Sequence, residues 1–78
     1  MPKARPKMSD WMEGLDVPAW ERLLAITNLG REDREIARLY YIEQLPQIDI
    51  ATELLMDRAT ISRRLAKIRK RIEKKSME

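Results

Sequence analysis

The sequence contains no cysteine and no histidine. Without cysteine the chain has neither a disulfide nor a thiolate metal site, and without histidine it lacks the commonest general base and metal ligand. No apolar run approaches the roughly 20 residues of a membrane span, and the N-terminus has no apolar signal-peptide centre. These absences favour a cytoplasmic binding domain over an enzyme, and we expect no catalytic residue, no metal, no cofactor and no membrane contact.

Charge is distributed unevenly along the 78 residues. Residues 11–57 hold four basic and ten acidic side chains, whereas residues 58–78 hold nine basic and two acidic side chains. An acidic body followed by a basic final quarter predicts a negatively charged partner for that quarter. The alternative interpretation is a solvated helical tail with no partner.

Apolar residues recur at three- and four-residue spacing, with no strand-like alternation, so the sequence predicts an all-α fold. We expect a small four- to five-helix bundle over residues 9–75, preceded by a disordered basic arm (1–8) and followed by a tail (76–78). A short turn is predicted over 10–13. Helices are predicted from Asp16 to an end at 28–30, and over 31–45, 47–54 and 58–74.

Local signals refine these expectations. Asp16 and Pro18 indicate a helix start, and Gly30 is expected to end that helix in the left-handed conformation. Adjacent residues of an α-helix point in different directions, so Tyr40 is expected in the core and Tyr41 half exposed. Trp11 and Trp20 are expected as core or cover residues, and Ile48, with Trp11 and Met12, is a candidate for a second interface.

The most informative segment is residues 47–65, QIDIATELLMDRATISRRL. It predicts a helix, a tight turn and a second helix. Ala51 is the small residue that steeply crossing helices need, and Ile61 and Leu65 pack the second helix onto the first. Asp57 is expected to cap the second helix with its carboxylate. This spacing is typical of a helix-turn-helix with a basic second, or recognition, helix.

From about Arg31 to Ile72 the chain resembles the C-terminal DNA-binding domain of bacterial sigma factors and related phage or mobile-element regulators. The matching segments are REDREIARLYY, IDIATELL and DRATISRRLAKIRKRI. They cover a little over half of the chain. Leu55 stands where the family usually has glycine in the turn. Either Leu55 adopts a left-handed conformation with some strain, or the turn differs.

The resemblance implies a set of DNA contacts. Residues in the base-reading positions are Arg58, Ala59, Ser62 and Arg63, of which the two arginines can bind guanine and the alanine can meet a thymine methyl. The phosphate contacts are expected from Gln47, at the start of the preceding helix, and from Thr60, Arg64, Lys67 and Lys70.

The leading hypothesis is therefore sequence-specific binding of double-stranded DNA in transcription regulation. A domain this small rarely supplies enough specificity alone, so a homodimer or attachment to RNA polymerase is expected. Two alternatives stay open. One is a DNA-processing accessory protein of a phage or plasmid, acting in packaging, excision or partition. The other is a protein module in which the acidic body contacts polymerase and DNA binding is incidental.

Overall fold

The computed structural model describes residues 10–77, and in that range the chain contains helices and no strand. The helices are α1 (Asp10–Glu13), α2 (Val17–Ile26), α3 (Arg31–Ala37), α4 (Gln47–Leu54) and α5 (Arg58–Ser76), and α3 continues into a π-helical segment (Arg38–Ile42). The predicted all-α class is confirmed. The basic arm expected over residues 1–8 lies outside the described residues.

α5 is the element on which the others pack. Its buried side chains are Ile61, Leu65, Ile68 and Ile72, spaced four, three and four residues apart. α2, α3 and α4 each contact it, and α4 also contacts the π-helical segment. Because the spacing keeps these four side chains on one side of the helix, the rest of its surface remains available for contacts outside the core.

α2 begins as the sequence predicts, but it ends differently. The Asp16 carboxylate accepts a hydrogen bond from the Ala19 backbone N–H at 2.9 Å. The helix stops at Thr27, whose buried hydroxyl donates to the Leu23 carbonyl at 2.7 Å. The expectation for Gly30 is wrong, since its φ is −65° and it precedes α3 as the N-cap residue. A buried side-chain hydrogen bond therefore replaces the glycine ending.

The expectation that Tyr41 is half exposed is also wrong, because it is only 2% exposed and Tyr40 is buried as well. The π-helical segment is the reason: its wider turn adds a residue and shifts the register, so two adjacent side chains can enter the core. The Tyr41 ring stacks on Trp20, with centroids 4.6 Å apart, and meets Tyr40 edge-on at 5.0 Å. Burial, together with the nearby Tyr40, raises the pKa of the Tyr41 phenol to about 12.

The connection to α4 is longer than expected. The helix predicted to reach Leu45 ends at Ile42, and Gln44 adopts a left-handed φ of 56°. The Leu45 N–H then donates to the Leu39 carbonyl at 2.9 Å. The residue before a proline disfavours the helical region, and here Pro46 follows Leu45 and forms the N-cap of α4. The chain therefore leaves the helix three residues before the predicted end.

Candidate nucleic-acid interface

A three-residue turn, Leu55 to Asp57, orients α5 relative to α4. Leu55 is left-handed, with φ 54° and ψ 45°, and the Met56 N–H donates to the Ala51 carbonyl at 2.8 Å. This is the helix ending that usually carries glycine. Of the two alternatives for this turn, the left-handed leucine is the one observed. Its side chain is 93% exposed, so no packing within the described chain compensates the strain.

α5 begins at Arg58, as predicted, but its cap differs. Asp57 holds the N-cap position with φ −71° and ψ 139°, yet its carboxylate accepts no capping hydrogen bond. Only its backbone carbonyl takes part, accepting from the Ile61 N–H at 3.0 Å. The carboxylate is exposed, so water can serve the free N–H groups of the first turn. Those N–H groups remain available to an external acceptor.

The outward face of α5 combines small and basic residues. Ala59, Ser62 and Ala66 are exposed and recur at three- and four-residue spacing, which places them in one strip along the helix. The neighbouring strip is basic, and all its members are exposed: Arg63, Lys67, Lys70 and Lys74. Small side chains permit a close approach to a surface, while long cations beside them reach further. We call the two strips together the outward face of α5.

Eight of the nine basic residues of α5 fall into two groups by their partners. Arg64, Arg69 and Arg71 are engaged within the protein. Arg69 pairs with Glu73 at 3.0 Å, and Arg71 donates to the Asn28 carbonyl at 2.8 Å. The other group has no ion pair within residues 10–77 and consists of Arg58, Arg63, Lys67, Lys70 and Lys74. The cations without carboxylate partners therefore lie mainly on the outward face, where an external anion can reach them.

Arg64 is the predicted site residue that the structure separates from the others. Its Nη1 lies 2.6 Å from Glu32 Oε1 and 3.0 Å from Asp33 Oδ1, both in the first turn of α3. It therefore holds α5 to α3, and a phosphate contact by the same guanidinium would compete with two carboxylates. The expected phosphate contact of Arg64 is untested, and the two carboxylate contacts favour a structural role for this residue instead.

The remaining predicted contacts lie near the start of α5. Arg58, Ala59 and Ser62 are exposed. Thr60 is half-buried, and its hydroxyl accepts a hydrogen bond from Arg63 Nη2 at 3.3 Å. Gln47 is half-buried and is the first residue of α4. The free N–H groups at the start of a helix favour binding of an anion.

Sequence reasoning missed a second basic feature. Arg31, Arg34 and Arg38 recur at three- and four-residue spacing on the exposed side of α3 and its continuation. The spacing alone could have revealed them, but they lie in a segment whose net charge is negative.

Other kinds of site receive no support in the part of the chain that the structure describes. No three acidic side chains there are grouped closely enough to hold a metal ion. None of the helices between residues 10 and 77 has the length and apolar character needed to cross a membrane. Comparisons with protein-family models, with curated proteins and with solved structures found no match to this chain.

Proposed function

We propose that this protein binds double-stranded DNA sequence-specifically, as a transcription regulator with a sigma-like promoter-recognition domain. The observation that carries the proposal is the outward face of α5, a helix of 19 residues. The four cations of that face, Arg63, Lys67, Lys70 and Lys74, have no ion pair in residues 10–77. α5 follows a tight turn after α4, and the two helices pack together. An α-helix fits the major groove, where its N-terminal residues reach base edges and the rest follows the phosphates.

Arg58, Ala59, Ser62 and Arg63 are the proposed base-reading residues, because they are exposed in the first two turns of α5. A guanidinium can donate two parallel hydrogen bonds to guanine, a contact that distinguishes this base from the other three. The alanine leaves space for a thymine methyl, and the serine hydroxyl can bond a base edge or a phosphate.

Lys67 and Lys70 are the proposed phosphate contacts further along α5, with Thr60 and Gln47 as neutral contacts. Lys74 extends the same strip. Each phosphate neutralised by a cation contributes about −0.9 to the slope of log K against log salt concentration, so the three lysines together predict a contribution of about −2.7. The acidic body, ten acids against four bases over residues 11–57, disfavours approach of DNA to the other surfaces.

The experiment compares R58A/R63A with the wild type on two duplexes, one enriched from a random pool and one of arbitrary sequence. Each lost guanine contact is worth about 1–3 kcal/mol of discrimination, so the variant should lose most of its preference for the enriched duplex. Binding to the arbitrary duplex should weaken much less. R22A is the matched control, because Arg22 is an exposed arginine on α2. Equal binding of R58A/R63A and wild type to both duplexes would refute the proposal.

A further inference from the structure

The acidic body contains only four basic residues, and three of them share one face of one helix. Arg31, Arg34 and Arg38 follow each other at intervals of three and four residues, and the Arg38 backbone N–H still donates to the Arg34 carbonyl. They lie on the side of the helix opposite the buried Ile36. We call these three residues the arginine stripe.

The arginine stripe makes few ion pairs with the rest of the described chain. Within residues 10–77 neither Arg31 nor Arg34 has an ion pair, and Arg38 has one exposed contact of 3.4 Å with Glu21. The stripe borders an open groove of about 300 Å³. The groove is also lined by Leu39, which is half-buried, and by Glu35 and Glu43. Its lining thus combines three cations, two carboxylates and an apolar side chain.

A surface of the complementary kind lies on α4. Asp49 and Glu53 are exposed, four residues apart, and have no ion pair in the described part of the chain. Ile48 lies beside them on the exposed side of the helix and is 59% exposed. We call these three residues the acidic face of α4.

We propose that the arginine stripe of one chain binds the acidic face of α4 of a second copy. The spacings agree, since Arg34 and Arg38, like Asp49 and Glu53, are four residues apart and so about 6 Å apart along a helix. Ile48 would then contact the apolar lining of the groove at Leu39. Because each chain carries both surfaces, two copies can exchange the same contact reciprocally, as in a two-fold dimer.

A second copy of the chain as partner also agrees with the placement of the other charges. The arginine stripe lies on the side of α3 opposite the buried Ile36, whereas Glu32 and Asp33 of the same helix contact Arg64 of α5. The arginine stripe and the acidic face of α4 include no residue of the outward face of α5. The inference does not depend on DNA binding, and its test uses protein alone.

The test measures mass by sedimentation equilibrium, up to millimolar protein, for four samples. They are the wild type, the reversed stripe R34E/R38E, the reversed acidic face D49K/E53K, and an equal mixture of the two variants. The wild type should self-associate at about 0.01 M salt and dissociate at about 1 M, as the Debye length falls from about 30 to about 3 Å. Each variant alone should associate at least tenfold more weakly, and the mixture should recover a dimer, because its chains carry complementary reversed surfaces.

Two controls keep the result interpretable. R22E reverses an exposed arginine outside the stripe and should associate as the wild type does. The single variant E53K leaves Asp49 in the first turn of α4, where a lysine would be unfavourable next to the positive end of the helix dipole. Circular dichroism checks the helix content of every variant. A wild type that remains monomeric at low salt overturns the inference. So does association that survives both reversals, or a mixture that stays monomeric. None of these outcomes bears on duplex binding by α5.

Discussion

Replacing Arg64 or Lys67 by alanine should separate the two groups of basic residues on α5. Arg64 contacts Glu32 and Asp33 at 2.6 and 3.0 Å. Lys67 is exposed and has no ion pair among residues 10–77. The two side chains lie one turn apart on the same helix, so they form a closely matched pair. R64A should lower the stability of the fold, whereas K67A should reduce the salt dependence of DNA binding.

The size of the Arg64 effect follows from its exposure. The Arg64 side chain is 38% exposed, Asp33 31% and Glu32 58%, so solvent screens both contacts. Exposed ion pairs contribute about 0.2–1 kcal/mol each. We therefore expect R64A to lower the free energy of unfolding by about 1 kcal/mol, including lost packing of the side-chain stem. In a domain of this size that corresponds to a fall in Tm of roughly 4–8 °C.

The assay combines urea unfolding, followed by circular dichroism, with duplex binding at several salt concentrations. R64A should unfold at lower urea and keep the wild-type slope of log K against log salt. K67A should unfold within about 0.5 kcal/mol of the wild type and lose about 0.9 of that slope. The reasoning would be refuted if R64A reduced the slope as K67A does while its stability stayed unchanged.

Two further predictions concern the core and the turn. The buried Tyr41 phenol, whose pKa is raised to about 12 against about 10 unfolded, binds more protons folded than unfolded between these values. The free energy of unfolding should thus be independent of this group below pH 10 and fall by about 2–3 kcal/mol as the pH rises to 12. Y41F should lose less stability over this range, as measured by urea titrations. An equal loss in Y41F and the wild type would contradict the prediction. At left-handed Leu55, L55G should stabilise the protein by roughly 0.5–1 kcal/mol, because relief of about 1–2 kcal/mol of strain exceeds the entropy cost of glycine. L55A retains the Cβ and should not gain this stability in the same urea assay; equal gains for both variants would exclude strain as the cause.

The sequence predicted best those elements whose ends are set by neighbouring residues. α4 has the predicted limits, Gln47–Leu54, because Pro46 and the Leu55 turn bound it locally. The buried stripe of α5 is also as predicted, since four isoleucine and leucine residues at helical spacing leave no alternative face. The spacing of apolar residues and the residues that end helices are local properties, so they can be recognised in the sequence before the fold is known.

Two of the errors arose where distant residues decide. The stacking of Tyr41 on Trp20 depends on the π-helical segment, which nothing in the residue pattern of α3 indicates. Met12, expected at a second interface, is 1% exposed and belongs to the core, while Trp11 and Ile48 do remain exposed. Which of two adjacent apolar residues enters the core depends on how α1 sits against the other helices.

The same distinction applies to the candidate interface. The outward positions of Arg63, Lys67 and Lys70 followed from spacing along one helix. The engagement of Arg64 joins residues 31 positions apart in the chain, so it required the packing of α3 on α5. Charge alone could not separate a cation that stabilises the fold from one that remains available to an anion.

The most direct test of sequence-specific DNA binding by α5 is selection of bound duplexes from a random pool. We predict enrichment of a defined motif containing guanine, with enrichment lost in R58A/R63A and retained in R22A. A bound pool with the same sequence distribution as the starting pool would contradict sequence-specific binding by α5.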